Sequence, residues 1–173
     1  MTFVLVRLLL VIGIVILLSY FLMIVIVPEN SIYIQERLGQ YSRTFKAGVY
    51  FQLPIIERIA YRFSQNEQIE IFKDIICSTK DNEKVMIDAI FIYQIKDAFK
   101  AAYGTDSFLK SIRIEIESYL LAEIQNYYAD EIISKRYGIN QIIVKNLSMS
   151  CENFGLKIVR FEIQQMKRDV KII

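Results

Sequence analysis

The side chains best suited to acid–base and metal chemistry are scarce in this sequence. It contains no histidine, so the commonest general acid or base and the commonest metal ligand are absent. Cys77 and Cys151 stand far apart and form no C-x-x-C pair, so a zinc site is not expected. Each cysteine is interpreted as a small hydrophobe. A disulfide between them stays open if the domain faces an oxidising compartment.

The remaining polar residues form no catalytic pattern. Ser148-Met149-Ser150 has no histidine partner and no G-x-S-x-G context. Glu115 and Glu117 are two apart on a predicted helix, so they do not face each other. Glu36-Arg37 and Lys80-Asp81-Asn82 are interpreted as a surface charge pair and a turn. The sequence therefore predicts no catalytic, cofactor-binding or metal-binding residues, and a protein that is not an enzyme.

The charge balance argues against a nucleic-acid partner. There are 21 basic and 19 acidic residues, which leaves a net charge of +2. Binding to a phosphate backbone normally requires a basic surplus or a basic patch.

Residues 8–27, LLLVIGIVILLSYFLMIVIV, are apolar and carry no charge. An α-helix of this length covers about 30 Å, the thickness of the hydrocarbon core of a bilayer. We therefore expect a single transmembrane helix that Pro28 ends. A cleaved signal peptide fits less well because the apolar core is long and no small-residue cleavage site is present. A membrane hairpin would need a central break, whereas Gly13 lies off-centre.

Beyond the apolar stretch, the first half of the chain is rich in predicted strands. The clearest is 84–95, in which apolar residues recur at every second position from Val85 to Ile95. Residues 74–79 are expected to pair with it across a turn at Lys80-Asp81-Asn82. Residues 39–48 are interpreted as turns and a hairpin. Shorter strands are predicted at 32–38, 49–51, 58–63 and 67–72.

The second half changes to helical spacing. Asp97 is predicted to cap a short helix, AFKAAY, that Gly104 stops. A longer helix follows from Asp106 or Ser107. Asp130 is predicted to cap another short helix, EIISKR, that ends at Gly138, before a further run up to Gly155. A last strand, LKIVRFEIQ, is expected to bury Val159, Phe161 and Ile163, and no period is evident from 165 to 173. Strands followed by helices indicate an α+β fold.

Several blocks in this order resemble the stomatin, prohibitin and flotillin-type family, the SPFH or band-7 proteins, and the stomatin branch above all. The match extends over about residues 24–165. The blocks are Gln35-Glu36-Arg37-Leu38-Gly39-Gln40-Tyr41, Ala47-Gly48-Val49-Tyr50-Phe51, Leu53-Pro54, Thr79-Lys80-Asp81-Asn82 with Val85-x-Ile87-Asp88-Ala89, Tyr103-Gly104, Asp130-Glu131-Ile132, Arg136-x-x-Ile139-Asn140 and Val159-x-Phe161-Glu162-Ile163.

The resemblance implies a membrane-anchored scaffold with an antiparallel, strand-rich first half and a helical second half closed by a strand. Such proteins oligomerise on membranes, contact lipids, organise a membrane microdomain and modulate membrane proteases or channels, in some bacteria with an NfeD-type partner. Members usually continue into a heptad-bearing helix that joins subunits, whereas this chain stops at Ile173. The resemblance therefore implies membrane attachment more directly than ring formation.

The expected organisation is an anchor at 1–28, an SPFH-like domain at 29–165 and a short basic tail at 166–173. The domain divides into a strand-rich part, 29–96, and a helical part with the last strand, 97–165. Within twenty residues after the apolar stretch, Arg37, Arg43 and Lys46 outnumber Arg7 before it, so the positive-inside rule favours a cytoplasmic domain. Counted over fifteen residues, the two sides tie at one each. The bacterial inner membrane is the simplest host.

Two other functions compete with the scaffold. The chain could serve as a regulatory partner subunit of a membrane protease or transporter without forming a cage, which the early end of the chain favours. A membrane-tethered hydrolase is the remote alternative, because a lysine could act as its base.

Overall fold

The computed structural model of the protein describes residue 3 and residues 6–7, 9–14, 23–104 and 107–168. The chain divides into two compact units, Met1–Ser64 and Gln65–Ile173, here called the first and the second unit. The predicted domain ranges stay a prediction.

The first unit consists of two small antiparallel sheets. Strands β1 and β4 form one sheet, and the other has the order β3-β2-β5. The predicted strands at 32–38, 49–51 and 58–63 are confirmed with small changes at their ends, and β3 fills much of the predicted hairpin region. Buried apolar residues on β1, β2 and β3 form the core of the unit. The strands are β1 (Ile24–Val27), β2 (Ser31–Arg37), β3 (Gln40–Phe45), β4 (Gly48–Phe51) and β5 (Glu57–Ser64).

The predicted membrane helix at 8–27 is wrong at its C-terminal end. Ile24–Val27 pair with Gly48–Phe51 as strand β1, and their β-branched side chains suit a strand. Residues 9–14 are helical, while residues 8 and 15–22 lie outside the described residues. Within the described part of the chain, no helix has the length and apolarity needed to cross a membrane.

The second unit is a three-stranded antiparallel sheet with helices. Strands β6 (Gln68–Ser78), β7 (Lys84–Ile95) and β8 (Leu156–Arg168) have the order β6-β7-β8. The predicted hairpin is confirmed, and β6 joins the predicted segments 67–72 and 74–79 through a bulge between Phe72 and Ile75. Six residues of β7 that alternate along the strand are buried, as predicted: Val85, Ile87, Ala89, Phe91, Tyr93 and Ile95.

The first two helices follow the sequence closely. In α1 (Ala98–Tyr103), the Asp97 carboxylate accepts hydrogen bonds from the backbone N–H groups of Phe99 and Lys100. Helix α2 (Phe108–Ile124) follows Ser107 and buries residues at helical spacing, namely Ile112, Ile116, Leu120 and Ile124. Asp106 lies outside the described residues.

The predicted break at Gly138 is wrong, because α3 runs without interruption over Ala129–Asn153. Its buried stripe has the same phase before and after Gly138, from Ile132 to Ile139 and onward. Burying each isoleucine contributes about 1.5–3 kcal/mol, more than the ~1 kcal/mol that a helical glycine costs. Asp130 lies inside the first turn instead of capping it and forms an ion pair with Arg168.

Strand β8 is longer than predicted and interrupted by a bulge. It continues to Arg168, which pairs with Val85, so the start of the predicted tail belongs to the sheet. The register shifts between Ile92 and Tyr93, because Val159 is inserted opposite them. Val159 is therefore exposed, contrary to the prediction, whereas Phe161 and Ile163 are buried.

The fold class is confirmed in its main feature: a strand-rich first half precedes a helical second half that β8 closes.

The continuity of α3 gives a stability prediction. A Cβ added at Gly138 meets nothing within 4 Å, so Gly138→Ala should stabilise the helix by about 0.5–1 kcal/mol. Gly155→Ala is the contrasting variant, because Gly155 has a φ of +72° and its Cβ would lie 2.3 Å from the Asp97 carbonyl oxygen. Urea unfolding followed by circular dichroism checks both. Destabilisation by Gly138→Ala would indicate that the helix is broken there.

Candidate membrane-contact surface

One face of the β1–β4 sheet is apolar and exposed. Register pairs Ile24 with Phe51 and Ile26 with Val49, so these four side chains share a face. All four are exposed, Phe51 to 67%. On the opposite face Val27 is buried. Tyr50 lies on this opposite face too, because its strand neighbours Val49 and Phe51 are on the exposed one. The Tyr50 ring stacks on the Phe45 ring, with 4.1 Å between the centroids. The sheet is thus packed on one side only.

A second exposed apolar group, the apolar tip, comprises Leu38, Leu53, Ile55 and Ile56. Leu38 lies in the turn between β2 and β3, and the other three lie in the loop between β4 and β5. The Leu38 N–H donates to the Ile56 carbonyl oxygen at 2.9 Å, which joins the turn to the loop. Ile55 is 95% exposed and Leu38 79%. Two separate segments therefore present apolar side chains at one place.

The backbone of Leu38 is in an unfavourable conformation for its residue type. Its φ is +51°, and that of Gly39 is +82°. A two-residue hairpin turn with two positive φ angles prefers Asn-Gly or Asp-Gly, because a larger side chain is disfavoured in the left-handed region. A leucine that is both strained and exposed stabilises neither the turn nor a core. This points to a contact made outside the first unit.

The N-terminal helical residues are apolar and exposed as well. Between residues 9 and 14, every residue other than Gly13 is a leucine, isoleucine or valine, and all are exposed. An amphipathic helix of a water-soluble domain would bury one side. This segment packs on none, so it fits a lipid environment better than water.

The buried carboxylate of Glu57 holds the loop of the apolar tip in place. One oxygen accepts from the backbone N–H of Leu53 at 2.8 Å and from Gln35 Nε2 at 2.9 Å. The other accepts from Arg37 Nε at 3.1 Å and Nη2 at 2.7 Å. Arg43 Nε donates to Gln35 Oε1 at 2.6 Å, which extends the cluster to β3. The hydrogen bond from Leu53, with support from Arg37, lowers the pKa of Glu57 below its usual value.

Glu36 and Arg37 do not form the surface pair that the sequence suggested. Neighbouring residues of a strand point in opposite directions, so each meets its own partner on β5. Glu36 is buried and accepts from Arg58 Nε at 3.0 Å and Nη2 at 2.8 Å, whereas Arg37 pairs with Glu57. These are two cross-strand ion pairs that fix the register of β2 and β5.

Lys80-Asp81-Asn82 is a turn, as predicted. The Asn82 N–H donates to the Thr79 carbonyl oxygen at 3.0 Å, and Asn82 has a φ of +60°. The Lys80 ammonium lies 4.9 Å from the centroid of the Tyr128 ring. These contacts connect the β6–β7 turn to the start of α3.

Both cysteines are free thiols and buried. Burial raises the pKa of Cys77 to about 11 and that of Cys151 to about 12. Their thiolate populations at neutral pH are therefore very small, and both are poor nucleophiles.

The remaining polar residues singled out in the sequence are not brought together. Ser148 Oγ donates to the Lys145 carbonyl oxygen at 2.7 Å. Glu117 pairs with Arg113 at 4.0 Å, while Glu115 has one buried oxygen that no described residue hydrogen-bonds. In the portion of the chain that the structure describes, no group of three or more histidine, cysteine or acidic residues could hold a metal ion.

Sequence reasoning missed Gln35, Arg43 and Glu57. A buried Gln–Glu–Arg cluster depends on which strands pair and in what register. Neither the spacing of these residues nor the alternation of polarity along one strand reveals that. The sequence signal that could have raised suspicion is the placement of Glu57 directly after an apolar, proline-containing loop.

The arrangement provides apolar surface and a rigid polar support beneath it. A strand-rich first half followed by a helical second half closed by a strand is the architecture of an SPFH-type domain. The chain belongs to the SPFH domain / Band 7 family, which it matches over residues 25–172.

Similar proteins include stomatin-like ones. The chain is 24% identical to "Stomatin-like protein 2, mitochondrial" of Homo sapiens over 143 residues, 83% of this chain and 40% of that protein. It is 25% identical to "Stomatin-like protein stl-1" of Caenorhabditis elegans over 146 residues, 84% and 45% of the two chains. An uncharacterized protein of Schizosaccharomyces pombe is 28% identical over 147 residues, 85% and 42%. The chain thus spans about two fifths of the length of these relatives, and their names fit the stomatin-like branch.

The Glu57 cluster gives a stability prediction. Glu57→Gln should lower the opening free energy of β2 and β5 by about 2–3 kcal/mol, because it removes the charge that Arg37 pairs with. Glu162→Gln is the matched control: its partner Arg160 is exposed, so the loss should stay below about 1 kcal/mol. Hydrogen exchange of the β2 and β5 amides measures the effect of Glu57→Gln, and that of the β7 and β8 amides measures the effect of Glu162→Gln.

Acid should abolish the difference between the wild type and Glu57→Gln. Because the folded pKa of Glu57 is depressed, its stabilisation is complete above the ordinary glutamate pKa of about 4.3. This stabilisation is lost as the pH falls through the pKa that Glu57 has in the folded protein. Urea midpoints of the two proteins should therefore converge below about pH 4. Equal midpoints at pH 7 would contradict the assigned role of Glu57.

Proposed function

We propose that the protein is a membrane-anchored, stomatin-like scaffold that oligomerises at the bilayer surface, organises a membrane microdomain and modulates membrane proteins or proteases. The observation that carries membrane contact is the apolar tip, with Leu38 exposed in a left-handed conformation. The tip would enter the interfacial region of the lipid while the apolar N-terminal segment provides the anchor.

The chain geometry favours a domain held close to the lipid. The Gln52 N–H donates to the Met23 carbonyl oxygen at 2.7 Å, immediately before β1. Met23, just before the start of β1, is thereby fixed to the end of β4. Each large apolar side chain moved from water into lipid contributes about 1.5–3 kcal/mol, so a few residues of the tip suffice to hold the first unit at the surface.

Oligomerisation is supported by the family membership and by the confinement of copies to one plane. Neighbours on a membrane meet at a high effective concentration, so weak lateral contacts become sufficient. The lipids and the homo-oligomer are the expected partners, with a membrane protease or an NfeD-type protein as further ones. The chain covers only part of its relatives, so these roles remain proposals for the whole protein.

We place the domain on the cytoplasmic side, in a bacterial inner membrane, because Arg37, Arg43 and Lys46 follow the apolar segment. The native thiols are buried and cannot report this orientation. A cysteine introduced at the exposed Tyr137 can: an impermeant maleimide should label Tyr137→Cys only after the cells are permeabilised. Labelling of intact cells would reverse the assignment.

A regulatory partner subunit without a cage is the second candidate. It is favoured by three exposed lysines, Lys96, Lys100 and Lys157, that line one pocket beside the start of β8. The membrane-tethered hydrolase gains no support from Ser148, whose Oγ donates to the Lys145 carbonyl oxygen, or from the two thiols, which are buried.

The depth of the apolar tip can be measured with spin labels. A nitroxide on Ile55→Cys in phospholipid vesicles should collide more often with oxygen, which concentrates in lipid, than with a water-soluble nickel complex. A nitroxide on Tyr137→Cys, which is also exposed but lies on the second unit, is the control and should show the opposite preference. An aqueous signal at both positions would overturn membrane contact by the tip.

The scaffold requires lateral association. Lysine-directed cross-linking of the full chain in vesicles, at high protein density, should give a ladder above the dimer. Dilution with lipid should shorten the ladder, because lateral contacts depend on surface density. A monomer at every density would exclude the scaffold and leave the partner subunit.

A further inference from the structure

A long groove separates α3 from β8 in the second unit. The part with the larger volume, about 590 Å³, lies beside residues 155–158 of β8 and the turn before it. The part with the smaller volume, about 390 Å³, continues beside residues 159–162. Val144 lines both parts, so they follow one another along the same side of α3.

One wall of the groove is a strand with a free edge. Among the residues that the structure describes, strand β8 pairs only with β7, so one row of its backbone N–H and C=O groups is not used by the sheet. Asn140 of α3 covers one of these groups, because its side-chain oxygen accepts from the Ile163 N–H at 3.2 Å. The β8 edge is therefore covered at Ile163. From Leu156 to Glu162 the groove runs along the edge.

The dimensions fit a short extended peptide. Six residue steps of strand, from Leu156 to Glu162, extend about 20 Å. The α3 residues along the groove, Tyr137 to Glu152, extend about 22 Å. Apolar side chains contribute to the lining, including Val144, Ile158 and the exposed Val159. A strand of about six residues, with apolar side chains directed toward the lining, would occupy this space.

The rim of the groove is positively charged. Lys96, Lys100, Lys145 and Lys157 line it and are exposed. Among residues 23–104 and 107–168, none of the four has a carboxylate within 4.0 Å. The acidic side chains nearby are partly engaged, since Asp97 caps α1 and Glu162 pairs with Arg160. Glu152 is the remaining acidic group.

We propose that this groove binds an extended, acidic peptide segment of a partner protein, which adds to the free edge of β8 as a fourth strand. Backbone pairing with β8 provides the affinity, Val144 and Val159 accept alternate apolar side chains, and the lysines select glutamate or aspartate. A lipid headgroup would use the lysines alone and leave both the strand edge and the apolar lining unoccupied. The peptide therefore uses more of the groove. The inference does not depend on the proposed scaffold function.

The start of the groove is held rigidly, so the site exists before any peptide binds. The N–H groups of Lys96 and Asp97 both donate to the Gly155 carbonyl oxygen at 2.9 Å. A Cβ at Gly155 would lie 3.0 Å from the Lys100 Cβ. This close approach sets α1, and with it two of the lysines, beside the first residues of β8.

The test uses the full chain in detergent micelles and a fluorescein-labelled hexapeptide of alternating glutamate and valine. Fluorescence anisotropy should show saturable binding. The variant K96E/K100E/K157E should bind at least about tenfold more weakly, because like charges then face the glutamates. The control variant K46E/K73E/K84E changes the net charge equally at exposed positions outside the groove, and its affinity should stay within about twofold.

A second pair of peptides separates strand addition from charge attraction. N-methylation of alternate residues removes the N–H groups needed for pairing and should abolish binding, and a lysine–valine peptide should not bind. Equal binding of the methylated peptide, equal losses in the two triple variants, or no binding of the glutamate peptide would each overturn the proposal. So would a K96E/K100E/K157E variant that loses binding to phosphatidylglycerol vesicles but not to the peptide, because the site would then be one for lipid.

Discussion

The Glu57 carboxylate is the point on which the first unit depends. Through four hydrogen bonds it joins β2, its own strand β5 and the loop between β4 and β5. A buried carboxylate without such partners would cost several kcal/mol, and protonation or unfolding would relieve it. Because its partners lie both on β2 and in the loop, the loop can carry exposed apolar residues without collapsing onto the core.

The second unit is organised by apolar burial instead. Strand β7 lies between β6 and β8 and buries one whole face, while α2 and α3 each contribute a regular buried stripe. Its polar contacts include the Asp97 cap, the turn at Thr79 and Asn82, the ion pair of Arg168 with Asp130, and the Asp88 carboxylate, which accepts from the Asp74 N–H and from Gln165. Mutations that create cavities in the buried stripes should therefore weaken the second unit most.

Local signals predicted the second unit better than the first. The alternation of β7 and the Asp97 cap of α1 depend only on neighbouring residues, and both elements were predicted with their correct bounds. The continuity of α3 could not be predicted in this way, because a glycine such as Gly138 disfavours a helix by itself. Only the burial of Ile132 and Ile139 compensates for that cost. Ile24–Val27 read as part of an apolar helix, although pairing with β4 makes them a strand. The bulge at Val159 and the Glu57 cluster depend on register, which a single strand does not encode.

The contact between Asn140 and the Ile163 N–H also bears on aggregation. Copies crowded on a membrane would bring the long β8 edges of neighbouring proteins together, and an open edge of thirteen residues is a template for sheet growth without limit. The Asn140 side chain, which reaches β8 from α3, divides that edge into two short stretches, so that no continuous β-ribbon can form along its full length. The same residue that shortens a binding edge would thus keep crowded copies from joining edge to edge.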